Sequence, residues 1–353
     1  MGKKVVHILN SKAYAGAENV VISIIIKMRE IYGYEFLYVS PKGPIEYILK
    51  DNNIRYVLVD SINSKNIKKL VKSYKPDIIH VHDFTTSVIA SKCIDNIPII
   101  SHLHNNRPWI KRINIKSLIY YLSSFRYKRI LGVSKSIFDE YIFKNKIKHK
   151  SKVIGNPVDI SNILKKSEKS KNNEKSYDVV YLGRLSEAKD PERFIEIIEA
   201  IYKRDKDIKV AMIGSGELEY KCKDKIKCLG LEQNIDMLGF QQNPYSILKK
   251  AKLHCMPSKW EGYGLAAIES LALGIPVIAS PVGGLKEIIN ENCGKLCEKN
   301  SEFVSEITFL LSNNDIRIYK SKNAEKRAKE LDNINHYMKM LDETYNDILT
   351  VKA

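Results

Sequence analysis

Two glutamates lie on either side of a glycine-containing turn in the second half of the chain. Glu261 precedes the turn and Glu269 follows it, with seven residues between them. An apolar strand is predicted before the turn, over 252–256, and a helix after it, from Tyr263 to Leu273, with Gly274 ending the helix as a C′ residue. Free N–H groups at a helix start suit an anion, whereas carboxylates accept hydrogen bonds from hydroxyls. The turn therefore predicts a ligand with both phosphate and hydroxyl groups, as in a sugar nucleotide.

A second loop supplies cations. A strand is predicted over 177–183, and Gly183 lets the backbone turn at its end. Arg184 and Lys189 follow at the carboxyl edge of the predicted sheet, where a guanidinium fork and an ammonium point charge can hold a pyrophosphate. The alternative for these two side chains is that they are solvated surface cations. Their combination with the two-glutamate turn favours the phosphate-binding interpretation.

Histidines end two predicted strands in the first half of the chain. His102 and His104 close the strand 98–104, and alternation places them on one face. His80 and His82 close another strand in the same way. Four such residues could hold a metal, but few acidic residues accompany them, and a buried histidine is more often a hydrogen-bonded structural residue. We therefore expect His104 to act without a metal ion.

The cysteines and aspartates do not predict a metal site either. The six cysteines are scattered without a CxxC pair, which predicts neither a disulfide framework nor zinc, and favours a reducing cytoplasm. The one Asp-x-Asp sequence, Asp205-Lys206-Asp207, lies between a predicted helix and a predicted strand and is typical of a solvated connector. No apolar run reaches ~18 residues, so we expect no transmembrane helix.

The net charge of +17 is concentrated in the first half of the chain. Residues 1–150 hold 26 Lys+Arg and 11 Asp+Glu, whereas residues 151–353 hold 32 and 30. The segment 107–129 has seven cations, no acidic residue and an apolar, aromatic interior. This mixture predicts contact with an anionic membrane surface. A core-packed helix with basic ends is the alternative, and we expect no nucleic-acid partner.

Apolar strands alternate with helical lengths along both halves, which predicts an α/β protein with parallel sheets covered on both faces. We expect a Rossmann-like N-terminal domain over 1–160, a polar linker or surface loop over 161–176, and a second Rossmann-like domain over 177–333. A C-terminal helix over 334–353 is expected to return to the first domain. Residues 134–144 are predicted to form one helix.

Several motifs occur in a characteristic order over almost the full length. They are Ala15-Gly16-Ala17-Glu18, the strand-ending His104, Gly183-Arg184-Leu185 with Lys189, Pro257-Ser258 leading into Glu261 and Glu269, Gly274-Ile275-Pro276 and Gly283-Gly284. In this order they resemble the retaining, nucleotide-sugar-dependent glycosyltransferases of family four. The family's first loop usually reads Gly-Gly-x-Glu, so Ala15 replaces its first glycine. The resemblance implies the GT-B fold, in which two Rossmann-like doubly wound domains face each other across a cleft.

The resemblance also implies roles for the matching residues. Glu269 would bind the ribose hydroxyls of the donor, and Glu261 would contact hydroxyls of the transferred sugar. Arg184 and Lys189 would stabilise the departing diphosphate in place of a metal ion. The remaining matches are Gly16 and the N–H groups of Gly264 and Leu265, which would lie against phosphate, and His104, which would approach the sugar.

The expected function is that of a retaining, metal-independent, hexosyltransferase-like enzyme. It would move a sugar from a nucleotide-sugar donor to a hydroxyl of a glycan or lipid-linked acceptor, in cell-surface polysaccharide synthesis. The basic first domain would face the acceptor, in the cytoplasm or on the inner face of the membrane, and no cofactor is expected besides the donor. Two alternatives stay open: a sugar-nucleotide epimerase of the same fold, and a non-catalytic sugar- or nucleic-acid-binding protein.

Overall fold

The chain folds into two α/β units. The computed structural model describes residues 2–12, 14–168 and 175–350. The first unit comprises residues 1–157 together with 333–353, and the second comprises residues 158–332. Each unit has its own parallel sheet.

The first unit contains a seven-stranded parallel sheet in the order β3-β2-β1-β4-β5-β6-β7. Every residue of β4 and β5 is buried, as expected for central strands covered on both faces. Its elements are β1 Lys4–Ile8, α1 Gly16–Tyr32, β2 Glu35–Pro41, α2 Ile45–Asp51, β3 Tyr56–Val59, α3 Ser64–Tyr74, β4 Ile78–His82, α4 Phe84–Ser91, β5 Ile99–Leu103, α5 Ile115–Ser124, β6 Tyr127–Gly132, α6 Lys135–Asp139, α7 Lys144–Ile147 and β7 Ser151–Val153.

The second unit contains a six-stranded parallel sheet in the order β10-β9-β8-β11-β12-β13. Its central strands β8 and β11 pair with each other, and apolar clusters lie on the helices around them. Its elements are α8 Ile160–Glu168, β8 Tyr177–Leu182, α9 Pro191–Tyr202, β9 Val210–Ile213, α10 Glu219–Cys228, β10 Ile235–Gly239, α11 Tyr245–Leu248, β11 Ala251–Met256, α12 Leu265–Ala272, β12 Val277–Ala279, α13 Leu285–Ile288, β13 Gly294–Leu296, α14 Asn300–Ser312 and α15 Asn314–Leu331.

The last helix, α16 Ile334–Thr350, belongs to the first unit. Tyr337, Met338, Leu341 and Tyr345 form its buried stripe at helical spacing. Tyr345 is fully buried, and its hydroxyl lies 2.7 Å from His80 Nδ1. The helix therefore closes the first unit over the middle of its sheet.

The structure corrects the linker predicted over 161–176. Residues 160–168 form α8, in which Ile160 and Ile163 are buried, and Asn162 N–H is capped by Asp159 Oδ1 at 2.9 Å. The helix was not predicted because its apolar residues lie only in its first turns and a polar run follows them. The rest of the predicted linker, over 169–174, lies outside the described residues.

The helix predicted over 134–144 is also wrong, because it breaks after α6. Ile142 N–H leaves the helical pattern and donates to Ile110 O at 3.0 Å, and α7 starts only at Lys144. The short strands β7 and β13 were not predicted, since three residues carry too little periodicity.

Candidate active site

Each sheet reverses its strand order at one point, and the predicted site residues follow strands at these points. The reversal lies between β1 and β4 in the first unit and between β8 and β11 in the second. Ligands of open α/β sheets bind beyond the carboxyl ends of the strands at such points. Gly16 follows β1 and His104 follows β5, the neighbour of β4, while residues 183–189 follow β8 and Glu261 follows β11.

The loop that carries Glu261 packs so closely against a second loop that only glycine fits there. A Cβ atom on Gly283 would lie 1.7 Å from Glu261 O, and one on Gly284 would lie 2.3 Å from Tyr263 O. Gly283 also has a φ of +54°, in the region that favours glycine. Gly284 N–H donates to Gly262 O at 3.2 Å. These backbone contacts determine where the Glu261 carboxylate lies.

Lys189 Nζ forms an ion pair with Glu261 Oε2. The two side chains are only 22% and 11% exposed, so water screens them less than it screens an exposed pair. Ala188 O accepts a hydrogen bond from Lys259 N–H at 2.9 Å, which ties the two loops together. The cation and the carboxylate that were predicted separately therefore lie together.

Glu269 lies in α12 beside a tyrosine. Tyr245 donates from its hydroxyl to Glu269 Oε1 at 3.1 Å. Burial raises the pKa of Glu269 to about 7, while the Tyr245 hydrogen bond and the charges of Lys166 and Lys189 act in the opposite direction. Glu269 as a whole residue is neither fully buried nor fully exposed. The carboxyl group thus changes protonation near neutral pH.

The N-terminus of α12 is open. Gly264 precedes it with a φ of +106°, and a Cβ atom there would lie 2.8 Å from Leu285 Cδ2. The Gly264 carbonyl accepts from Ala267 and Ile268, but within the described ranges no partner accepts from Leu265 N–H or Ala266 N–H. The helix start therefore offers donors and a positive dipole end to an anion.

Arg184 lies apart from this cluster. Its side chain is 58% exposed and pairs with Glu217 at 3.2 Å. The loop that follows β9 shapes the Arg184 loop, because a Cβ atom on Gly214 would lie 2.0 Å from Gly183 O. Gly216 also packs on the backbone of that loop. Sequence reasoning missed this Gly-x-Gly pair, although its position at a strand end was a usable signal.

In the first unit, Gly16 is the first residue of α1. The motif Ala15-Gly16-Ala17-Glu18 matches the first loop of the family, but in this structure the helix already begins at Gly16. Ala15 gives no side-chain cap, and a Cβ atom on Gly16 would meet nothing within 4 Å. Packing of this unit therefore does not require glycine at position 16. Glu18 is buried, and burial raises its pKa to about 7.

His104 is held from two sides. Its Nε2 lies 2.9 Å from His82 Nδ1, and its backbone N–H donates to Asp83 Oδ1 at 3.1 Å. Burial lowers the pKa of His104, and the Asp83 charge raises it. Asp83 has φ +67° and ψ 165°, a strained region for a residue other than glycine. His102 and His104 share one face as predicted, with ring centroids 4.3 Å apart.

Five buried histidines surround this position: His7, His80, His82, His102 and His104. Two sets of three place possible ligand atoms within 4.8 Å of one another. In the set that contains His104, however, His82 Nδ1 already lies 2.9 Å from His104 Nε2, which is a hydrogen-bond distance. The geometry favours a hydrogen-bonded network.

Two family models match successive parts of the chain. The model described as Glycosyltransferase Family 4 matches residues 14–162, and the model described as Glycosyl transferases group 1 matches residues 162–329. The chain belongs to the group 1 glycosyltransferases.

Relatives of this glycosyltransferase are identical to it at about a quarter of the aligned residues. An uncharacterised glycosyltransferase of Methanocaldococcus jannaschii is 28% identical over 236 residues, which are 61% of this chain and 58% of that protein. A Campylobacter jejuni protein is 26% identical over 296 residues, 79% of this chain and 78% of its own length. Its name is GalNAc-alpha-(1->4)-GalNAc-alpha-(1->3)-diNAcBac-PP-undecaprenol alpha-1,4-N-acetyl-D-galactosaminyltransferase.

Solved structures share the fold of this glycosyltransferase. The crystal structure of Anabaena HepE in complex with UDP and glucose superposes with a TM-score of 0.84 at 19% identity, over 98% of this chain and 99% of that chain. The predicted GT-B fold class, with two Rossmann-like α/β domains, is confirmed. In the part of the glycosyltransferase that the structure describes, no helix combines the length and the hydropathy that crossing a membrane requires.

Sequence reasoning about the glycosyltransferase missed two contacts of its site residues. Tyr245 reaches Glu269, and Asp83 reaches the backbone of His104. Neither contact belongs to a local motif, since the partners are 24 and 21 residues apart. A polar residue directly after a central strand was the one usable signal for Asp83.

Proposed function

We propose that this glycosyltransferase moves a sugar, with retention of the anomeric configuration, from a nucleotide-sugar donor to a hydroxyl of a glycan or lipid-linked acceptor. The observation that carries the proposal is the Lys189–Glu261 pair beside Glu269 at the strand reversal of the second unit. The name of the Campylobacter relative contains a PP-undecaprenol acceptor, and HepE is complexed with UDP and glucose. Both support these substrate classes, and we propose a role in cell-surface polysaccharide synthesis.

The second unit binds the donor in this proposal. Glu269 accepts hydrogen bonds from the ribose hydroxyls, and Tyr245 helps to keep it ionised, as a donor to a carboxylate does. The diphosphate lies at the N–H groups of Gly264 and Leu265, where α12 offers unpaired donors. Glu261 contacts hydroxyls of the transferred sugar.

The reaction then follows a front-face displacement. The bond between the anomeric carbon and the donor phosphate oxygen breaks, and the acceptor oxygen bonds to the anomeric carbon on the same face. The hydroxyl proton passes to the leaving phosphate oxygen. Gly16 lies against phosphate and His104 against the sugar, and the first unit binds the acceptor.

Lys189 and Arg184 take the place of a metal ion in this proposal. Both are fixed positive charges that can stabilise the departing diphosphate. Because Lys189 is paired with Glu261, it is already held at the site, whereas Arg184 must leave Glu217 to reach a phosphate. We therefore assign the larger contribution to Lys189.

A donor screen tests the reaction. The full chain is incubated with a panel of nucleotide sugars, and release of nucleoside diphosphate is measured with and without a chelator. We expect release with at least one donor, unchanged by chelation, and a product with the donor's anomeric configuration by NMR. Inversion, or activity lost in chelator and restored by manganese, would contradict the proposed mechanism.

The same protein has a surface suited to an anionic membrane. Helix α5 is inverted, because its serines are buried beside Tyr120 whereas its aliphatic residues are exposed. The buried residues include Ser117, Ser123 and Ser124, and the exposed ones are Ile115, Leu118, Ile119 and Leu122, with Ile113 and Phe125 beside them. Ile115 is 77% and Phe125 67% exposed. Exposed apolar residues at helical spacing suit insertion into a lipid interface.

Cations surround this apolar face. Arg112, Lys116 and Lys128 are exposed and have no ion-pair partner within the described ranges. Arg126, by contrast, pairs with Asp95 at 2.8 Å. Each cation near an anionic membrane contributes about 1 kcal/mol. We propose that the face of α5 and these three cations attach the protein peripherally to the inner face of the membrane.

Liposome flotation tests the attachment. Vesicles with anionic lipid should carry the wild type, and the Arg112→Gln/Lys116→Gln/Lys128→Gln variant should bind at least about tenfold less. The matched control neutralises Lys65, Lys68 and Lys72, three exposed cations of α3. Equal flotation of the α5 and α3 variants would refute the proposed surface.

A further inference from the structure

The buried histidines of the first unit form two separate hydrogen-bonded chains. In one, His7 Nδ1 lies 2.9 Å from His82 Nε2, and His82 Nδ1 lies 2.9 Å from His104 Nε2. In the other, Tyr345, His80 and His102 are joined at 2.7 Å and 3.1 Å. Only the first chain ends at His104, which the proposed function places against the transferred sugar.

A neutral imidazole has one N–H donor and one bare acceptor nitrogen, so the first chain can run in only two directions. Burial and the neighbouring imidazoles lower the pKa of His82, and burial lowers those of His7 and His104, which keeps all three rings neutral. If His7 donates to His82, then His82 donates to His104 and the proton of His104 is on Nδ1. In the reverse direction, the proton of His104 is on Nε2.

Both ends of the chain favour the first direction. His7 Nε2 is buried without a partner among the described residues. A buried N–H group without an acceptor is rarer than a buried acceptor atom without a donor. His7 Nε2 is therefore favoured to be the bare nitrogen, with the proton of His7 on Nδ1. At the other end, the Asp83 carboxylate binds the backbone N–H of His104. Nδ1 is the ring nitrogen nearer to the residue's own backbone, so the Asp83 charge favours a proton on Nδ1 over one on Nε2.

We propose that His82, supported by His7, is a positioning residue that fixes the tautomer of His104 with the proton on Nδ1. His104 then presents a hydrogen-bond donor, and not a base, to an oxygen atom of the transferred sugar. Asp83 holds the backbone of His104 at the same place. This inference rests on the proposed function for what His104 faces, but the tautomer itself is a property of the free protein.

Nitrogen NMR of the full chain with ¹⁵N-labelled histidine tests the tautomer directly. Spectra that correlate ring nitrogens with ring protons distinguish protonated from bare nitrogens, and the His104→Gln variant assigns the resonances. We expect a protonated Nδ1 and a bare Nε2 in the wild type. A protonated Nε2, or averaged signals for both nitrogens, would overturn the proposal whether or not the donor screen detects transfer.

Variants test the positioning role. In His82→Leu, kcat should fall about tenfold with little change in KM, and the His104 signals should average, because one hydrogen bond no longer selects the tautomer. His82→Asn keeps an amide N–H near the position of Nδ1, so it should restore kcat and the tautomer. The matched control is His80→Leu, which removes an equally buried ring of β4 from the other chain. An equal loss of kcat in the two leucine variants, with unchanged His104 signals, would overturn the proposal.

A metal titration separates this network from a cation site. Because the ring nitrogens of His82 and His104 are hydrogen-bonded to each other, we expect that stoichiometric Co²⁺ produces no ligand-field absorption and no change in the His104 resonances. Absorption typical of histidine-bound Co²⁺, lost in His102→Ala, would identify a metal site and overturn the proposal.

Discussion

The two strand-reversal points of this glycosyltransferase place different kinds of polar groups at equivalent positions. In the second unit, they include the charged and partly exposed Lys189–Glu261 pair and Glu269, whose pKa lies near 7. In the first unit, they are neutral imidazoles, and His82 and His104 are buried. Desolvation explains the difference, because a charge survives only where water or an opposite charge compensates it.

The comparison indicates a division of tasks. In the proposed function, the cations and the helix start of the second unit stabilise most of the negative charge on the diphosphate. The imidazole network can supply directed hydrogen bonds. These select the orientation of a bound ligand and contribute little to the net charge of the site. The glycines differ in the same way: Gly283 is required by a backbone contact, whereas Gly16 has open space beside it.

The largest expected effect is in the second unit. Glu269→Ala should weaken nucleoside diphosphate binding by on the order of 1,000-fold, since two hydrogen bonds to a charged group contribute about 4 kcal/mol together. Calorimetry with a panel of nucleoside diphosphates measures the loss. The control is Glu287→Ala, an exposed glutamate of α13. Unchanged affinity in Glu269→Ala would refute the ribose-binding role.

Loss of a cation should affect the rate more than binding. Lys189→Ala should reduce kcat by about 100-fold, as expected for removing one group that stabilises transition-state charge, with a smaller change in nucleoside diphosphate affinity. Arg184→Ala should follow the same pattern with a smaller loss, because Arg184 is more exposed. If affinity and kcat fell in proportion, the cations would act in ground-state binding instead.

The two glycines should respond in opposite directions. Gly283→Ala should lower the free energy of unfolding by about 1–3 kcal/mol, because its Cβ atom would collide with Glu261 O in a strained conformation. Gly16→Ala should raise it by up to about 1 kcal/mol, since alanine is the better helix residue and nothing obstructs it. Thermal or urea unfolding measures both. A stabilised Gly16→Ala variant with full activity would argue against phosphate at α1.

The smallest expected effect is on pH dependence. The pKa of Glu269 is raised from its ordinary value to about 7, so ionising it costs stability in the folded state. Its contribution to stability is therefore complete at low pH and is lost as the pH rises through about 7. Nucleoside diphosphate affinity should change in the opposite direction, rising about tenfold between pH 6 and 8 as the carboxylate forms.

The control for the pH experiment is Glu269→Gln, because Glu18 and the ligand phosphate also titrate near neutral pH. The difference in nucleoside diphosphate affinity between the wild type and this variant gives the contribution of Glu269 alone. A difference that does not change with pH would show that Glu269 is already ionised throughout this range.

Much of the fold could be predicted because it depends on short stretches. The strands over 177–183 and 252–256 were predicted within one residue of their observed bounds, and α12 within two residues, because apolar runs and a terminal glycine act locally. Helix α8 was missed because the polar residues of its second half outnumber two buried isoleucines. The prediction of one helix over 134–144 was wrong because the hydrogen bond from Ile142 N–H to Ile110 O replaces a helical one.

For the candidate site, the sequence indicated the polar residues but not their partners. His104 was identified from its place at a strand end, whereas its contacts with His82 and Asp83 follow from the pairing of β4 with β5. The sequence also could not predict that the apolar face of α5 is exposed to solvent. Its spacing is that of an ordinary core helix, and only the packed serines reveal which side faces solvent.

The sequence by itself determined two parallel α/β units, the glycine turns, the excess of positive charge in the first half, and the residues that end the strands. These properties depend on backbone conformation and periodicity over a few residues. The tertiary structure decided which polar groups meet. Lys189 and Glu261 are 72 residues apart, and His80 and Tyr345 are 265 apart. Such contacts arise only when distant strands and helices pack, and they set the protonation states on which the proposed chemistry depends.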